Sequence, residues 1–308
     1  MKDKTKRIGR WIGALVIVLI ASAILFNSYA DYRVLGEYFD SDGVKIHFTD
    51  EGTGEPVILI HGFAANADLN WRKWGVNKEL RKDYRVIALD NRGHGLSDKP
   101  ESQDAYGIEM VNDVVRLMDH LQIDKAHVVG YSMGGFLTMK LLIEHPERII
   151  SAMPCGAGWP RIDEESTSTI DRIASGLENE GTFAPLLEHL TPLDSDVNKL
   201  EVASMDRVIR SKADPAIMAL AMRGMLEFAV EPDQLKANPV PVKTLIGSVD
   251  PLRETVEPLE GLLANFEAVY LEDGDHLSTL SMDEFIEEIE AFLGAHRLNA
   301  PIQQEDAA

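Results

Sequence analysis

The chain has 308 residues, 45% of them hydrophobic, enough to bury one large core. Its 51 acidic residues outnumber 30 basic ones for a net charge of −21, which argues against nucleic acid as a partner and for a self-repelling, soluble surface. The single cysteine, Cys155, excludes an internal disulfide and a multi-thiolate metal site.

The first thirty residues differ from the rest. Lys2, Lys4, Lys6, Arg7 and Arg10 precede an uncharged apolar run, 11-WIGALVIVLIASAILF-26. Ser28 and Ala30 then supply the small residues of a cleavage site, so residues 1–30 read as a signal peptide exporting the protein to a periplasmic or extracellular space. The rival is membrane attachment through residues 11–29 as an uncleaved anchor, because that length approaches the roughly 17–25 residues needed to span a bilayer.

From Asp31 onward, strand patterns alternate with helical ones. The segment 44-VKIHF-48 alternates like a half-exposed strand, whereas 56-PVILI-60, 85-RVIAL-89 and 126-AHVVG-130 are short apolar runs of buried-strand type. Between the last two, Met110, Val111, Val114, Val115, Leu117, Met118 and Leu121 recur at helical spacing, and a second helical run, 133-MGGFLTMKLLIEH-145, stops before Pro146. From Trp159 to Asn238 helical patterns continue without strands. The strand-helix rhythm returns with 242-VKTLIG-247, 266-FEAVYL-271 and the closing amphipathic run 282–296. The expected fold is α/β: a mostly parallel central sheet flanked by helices, its core formed by residues 31–158 and 239–308, with a helical cap inserted over 159–238.

Ser132 lies in 130-GYSMGG-135, between the run 126–130 and the helical run that follows. Alone, G-x-S-x-G arises by chance in about one chain in ten of this length, given ordinary glycine usage. Its strand-turn-helix setting is what makes Ser132 a candidate nucleophile. A serine hydroxyl needs a base to take its proton and a carboxylate to orient that base. Of the nine histidines, His47, His61, His94, His120 and His127 precede Ser132, whereas the order on this kind of sheet is serine, acid, histidine. His145 and His296 sit at helix ends and His189 in a cap helix. His276 alone lies in a loop just past an apolar strand, in 270-YLEDGDHLS-278. By the same logic Asp250, in the turn after 242–247, is the candidate orienting acid; Asp273 and Asp275 more simply shape the histidine's loop. Two amides complete the set as oxyanion donors: Met133, following the nucleophile at a helix start, and Phe63, after the strand ending at His61 and Gly62.

The motifs HGF at 61–63, DNRGHGLSDKP at 90–100, GYSMGG at 130–135, GSVDP at 247–251 and DGDHL at 273–277 resemble the α/β-hydrolase superfamily, closest to its serine esterases, cofactor-free haloperoxidase-like perhydrolases and meta-cleavage C–C hydrolases. The resemblance covers about Val34 to Arg297. It implies the α/β-hydrolase fold, a nucleophile at Ser132, oxyanion donors at Phe63 and Met133, and a loop-fixing role for Asp90, Arg92 and His94. Relatives with an aspartate nucleophile do not match Ser132.

The expected chemistry is acyl transfer on a small, mostly apolar carboxylic ester through Ser132, His276 and Asp250, a mechanism needing neither metal nor organic cofactor. The cap would select the substrate, with Trp71, Trp159, Met218, Met222 and Met225 lining its pocket, and Met205, Leu226 and Phe228 adding to that apolar wall. C–C bond cleavage or perhydrolysis could use the same triad, although no arginine stands out for an acidic dienone. A receptor on this fold that binds a small ligand without turnover is the third reading, disfavoured by the complete triad.

Overall fold

The computed structural model describes residues 36–192 and 195–298; the signal or anchor segment lies outside them. Among the described residues no helix is long and apolar enough to cross a membrane. One sheet organises the chain, with strands β1 (Glu37–Ser41), β2 (Val44–Glu51), β3 (Glu55–Ile60), β4 (Tyr84–Leu89), β5 (Ala126–Tyr131), β6 (Ile149–Cys155), β7 (Val242–Gly247) and β8 (Phe266–Leu271). Their spatial order is β1-β2-β4-β3-β5-β6-β7-β8. The two pairs that involve β2 are antiparallel and all others parallel.

Continuous apolar strands are the sequence form of a sheet covered on both faces, and alternation assigns each residue to a face. Ile58 and Ile60 of β3 join one core, whereas Val57 and Leu59 join the other. On the first face lie α2 (Ile108–His120) and α3 (Met133–Glu144), on the second α1 (Val76–Leu80) and α9 (Asp283–Ala295). α9 shows why: Phe285, Ile289, Phe292 and Leu293 fall on one helical face and are buried, while Asp283 and Glu284 complement the dipole of its first turn. α3 is apolar nearly all round because Leu137, Thr138, Met139, Leu141 and Leu142 are all buried, and the chain leaves the helix at His145, before Pro146.

Between β6 and β7 the described residues form no strand but five α-helices: α4 (Glu164–Ser175), α5 (Ala184–His189), α6 (Lys199–Arg210), α7 (Pro215–Gly224) and α8 (Pro232–Lys236). This is the inserted helical cap. Ile173, Leu177, Phe183, Met218, Met222 and Phe228 pack into the same core as α2 and α3, which fastens the cap to the sheet. Its two stems are tied together: the Trp159 indole N–H donates to Val230 O at 2.7 Å, and Val230 N–H donates to Pro160 O at 3.3 Å.

Two local expectations change. β2 is not half exposed, since Ile46, His47, Phe48 and Thr49 are all buried. The loop after β4 folds over it, with His47 N–H donating to Ser97 Oγ and its ring bonded to Asp90. β1, which periodicity passes over, pairs with β2 through the turn Asp42-Gly43, both with positive φ, as a two-residue hairpin requires.

Candidate active site

The parallel strands bring their C-terminal ends to one edge, where loops after β3, β5, β7 and β8 carry Phe63, Ser132, Asp250 and His276. Ser132 sits between β5 and α3 with φ +56° and ψ −119°, a conformation that costs about 1–3 kcal/mol outside glycine. Its amide donates to Cys155 O at 2.9 Å, and its carbonyl accepts from Gly135 and Phe136 at 2.8 and 3.0 Å. These bonds hold the strained turn from both sides. The flanking glycines are there for space: a Cβ on Gly130 would lie 2.0 Å from Gly134 O, and one on Gly134 2.1 Å from Ile60 O. Only bare backbone lets α3 start so close to β3 and β5.

Three side chains separated widely in sequence meet here. His276 Nε2 lies 2.9 Å from Ser132 Oγ, and its Nδ1 lies 2.8 Å from Asp250 Oδ2. His276 is 3% exposed and Asp250 fully buried, so their bond lies out of bulk water, whereas the bond to half-buried Ser132 is only partly covered. The other Asp250 oxygen accepts the Leu252 amide at 2.8 Å, which fixes the carboxylate's orientation. With a carboxylate on Nδ1, that nitrogen carries the proton and Nε2 is left free to accept from serine. Among the described residues the Phe63 and Met133 amides have no acceptor within the fold, as donors reserved for a ligand oxygen would require.

Asp275, His61 and Asp90, the other candidates in the loops around the triad, are occupied elsewhere. Asp275 Oδ1 accepts the amides of Leu277 and Ser278 at 2.8 and 2.7 Å, capping the loop that carries His276. Burial pushes the Asp275 carboxyl up, but the Ser278 and Leu277 hydrogen bonds outweigh it and hold it below its ordinary value. His61 Nε2 accepts the Asn91 amide at 2.9 Å, so its Nδ1 carries the proton and donates to Gly62 O at 2.7 Å. Asp90 accepts from the amides of Ala67 and Leu96 and from His47, while Arg92 makes a two-pronged bond to Asp113, with both contacts at 2.7 Å. The 90–98 loop is thereby locked beneath Phe63.

Several expected pocket residues are placed differently. Trp71 is fully buried in the core on the α1 and α9 face, away from the cap, because its indole fills the space between the sheet and those helices. Met218 is 0% and Met222 4% exposed; both join cap to core instead of lining a pocket. Phe228 is fully buried in the same way, and Met205 faces outward on α6. Trp159 serves the cap's stems through its bond to Val230. Met225 remains half-buried against the cap core. Sequence reasoning set aside His189 as a cap residue, yet it lies within electrostatic reach of His276 and Asp250. No local pattern in 182-TFAPLLEHL-190 could have revealed that, since it depends on how the cap folds back.

Known proteins are similar to this chain in sequence and fold. A family model described as alpha/beta hydrolase fold matches residues 55–175. Over 127 residues the chain is 37% identical to the dihydrolipoyllysine-residue acetyltransferase component of the acetoin cleaving system of Cupriavidus necator, a match covering 40% of this chain and 33% of that protein. It is also 37% identical over 117 residues to 2-hydroxymuconate semialdehyde hydrolase of Pseudomonas sp. (strain CF600), covering 37% of this chain and 41% of the other. The chain thus spans about a third to two-fifths of the length of these curated relatives. A solved structure of a thermophilic esterase from Thermogutta terrifontis superposes with a TM-score of 0.71 at 27% identity, over 86% of this chain and 99% of that one. The strand order and these matches together show that this chain has the α/β-hydrolase fold.

Proposed function

We infer that the protein is a serine hydrolase that cleaves a small, mostly apolar carboxylic ester through an acyl-enzyme. The observation that carries this reading is the unbroken chain from Ser132 Oγ to His276 Nε2 at 2.9 Å and from His276 Nδ1 to Asp250 Oδ2 at 2.8 Å. Ser132 attacks the ester carbonyl while His276 takes its proton, and buried Asp250 stabilises the imidazolium that results. The tetrahedral oxyanion is met by the Phe63 and Met133 amides, the latter at the positive end of α3. His276 then gives its proton to the departing alcohol, and water attacks the acyl-enzyme by the same route.

A second reading, C–C bond hydrolysis, is supported by the hydrolases of meta-cleavage type among the relatives, whose matches cover 37–39% of the chain. It would use the same triad on a dienone carbonyl. Both readings attach the protein to a small-molecule substrate.

The test is hydrolysis of p-nitrophenyl esters of graded acyl length by residues 31–308, beside Ser132→Ala and a meta-cleavage dienone. Ester turnover that peaks at one length and falls at least ~10³-fold in the variant supports the ester reading. Turnover of the dienone alone moves the assignment to C–C cleavage, and equal rates for Ser132→Ala and the parent sink both.

A further inference from the structure

The triad accounts for Ser132, His276 and Asp250 but not for the short cap helix α5 beside them. Both ends of α5 are fixed at the site. The residue before it, Phe183, sets its ring 6.5 Å from that of Phe63, whose amide is the candidate oxyanion donor. The residue after it, Leu190, packs against Ile246, Leu252 and Val256, and the Leu252 amide is the one that orients Asp250. α5 therefore crosses from the oxyanion side to the acid side of the site. Six residues at about 1.5 Å each make a bar roughly 9 Å long, about the width of a small ester.

His189 is the last residue of that bar. It is half-buried, and among the described residues neither ring nitrogen has a hydrogen-bond partner in the protein. Burial, with Arg172 and His276 nearby, holds its pKa below the ordinary value and outweighs the opposing pull of Asp250. The ring is thus neutral at neutral pH, with one donor and one acceptor nitrogen. A half-buried neutral imidazole with both functions unused is free to give and accept hydrogen bonds with a ligand.

The mechanism decides which part of a ligand that is. When the acyl–oxygen bond breaks, the atom facing His276 Nε2 is the leaving-group oxygen. His189 precedes Leu190, which packs on Leu252 at the acid side of the site, so this end of α5 lies toward the alcohol half of the substrate. Resting on the serine-hydrolase reading above, we propose that His189 is a specificity-determining residue that hydrogen-bonds a free hydroxyl on the alcohol half, so that an ester whose alcohol half carries such a hydroxyl is preferred over the ester of a simple alkyl alcohol. A hydroxyl both gives and accepts a hydrogen bond, matching the neutral imidazole.

The experiment compares kcat/KM for glycerol 1-monobutyrate and ethyl butyrate in the parent, His189→Leu and His189→Gln proteins. The parent is expected to favour the monobutyrate by about tenfold, and His189→Leu to lose that preference, mainly through KM, as expected for one hydrogen bond to substrate. His189→Gln, which retains a donor and an acceptor, should keep most of the preference. A parent without preference, or a ratio unchanged by His189→Leu, overturns the assignment of His189 while leaving the triad reading intact. Equal loss on both esters in His189→Leu assigns the residue to cap packing and overturns it as well. If the parent hydrolyses neither ester, or Ser132→Ala hydrolyses them equally well, the serine-hydrolase reading itself fails and takes this proposal with it.

Discussion

The Tyr131 hydroxyl donates a 2.6 Å hydrogen bond to the backbone carbonyl of His276, so the residue before the candidate nucleophile holds the loop of the candidate base. The two rings lie 5.5 Å apart, and Tyr131 also packs edge-on against Phe285 of α9. Tyr131→Phe keeps that packing and removes only the hydroxyl, leaving a buried carbonyl unpaired. The expected result is a loss of about 1–3 kcal/mol in unfolding free energy and a fall in kcat of roughly tenfold with little change in KM, because the imidazole drifts from Ser132. Urea unfolding and ester kinetics measure the two parts. An unchanged kcat would show that the His276 loop holds its position without this bond.

Gly134 is the second point at which geometry leaves no choice. The neighbour that its Cβ would strike is the Ile60 backbone, 2.1 Å away, and backbone cannot rotate aside as a side-chain tip can. Gly134→Ala should therefore push α3 from β3, displace the Met133 amide and cost about 1–3 kcal/mol or more. Gly294→Ala is the matching control, since nothing lies within 4 Å of the added atom. A Gly134→Ala protein with parental midpoint and activity would contradict the packing described here.

The sheet was legible in the sequence because it is buried on both faces: runs such as 56–60, 126–130 and 242–247 need no tertiary context to read as core strands. Ser132, Asp250 and His276 were reachable as candidates because each lies in a turn just after an apolar strand pattern, although β8, before His276, is only partly buried. What depends on chain folding back was not legible. The cover over β2 comes from residues some fifty positions later, and His47 cannot announce that Asp90 will meet it. The cap's methionines follow the same rule: an apolar side chain at helical spacing serves a pocket or a core equally well, and burial of Met218 is decided by the partners it meets.

Asp250 and Asp275 both stand close in sequence or space to His276, and the structure separates their work. Asp250 offers Oδ2 to the imidazole, whereas the oxygen of Asp275 that is engaged binds the amides of its own loop. Asp275 is therefore engaged in holding its own loop. Asp250→Asn is expected to lower kcat by about 10³–10⁴-fold, since the imidazole loses both its orientation and its counter-charge. Asp275→Asn should cost less than about tenfold, through a looser loop. Single-turnover acylation rates of the two variants test this, and comparable losses would mean that the acid role is shared.

Acid should weaken this fold through histidines buried without charge. Burial, helped by the neighbouring His61, pushes His94 down to about 3 from an ordinary 6.5, against the opposing bond to the Arg92 carbonyl and the pull of Asp90. His127 is pushed down to about 4, again chiefly by burial, with Glu55 opposing. For each, the unfolded chain binds a proton below about 6.5 that the folded chain refuses, so the stability they carry is complete above that pH and is lost as pH falls toward 3 or 4. Each such histidine adds up to about 1.4 kcal/mol per pH unit to the slope within that window. His94 packs edge-on against Phe63 and His61, so His94→Gln is expected to lower stability at pH 7 yet flatten the decline between pH 6 and 4. Urea midpoints measured across that range check it: parallel curves for parent and variant would mean that His94 does not titrate between the two states.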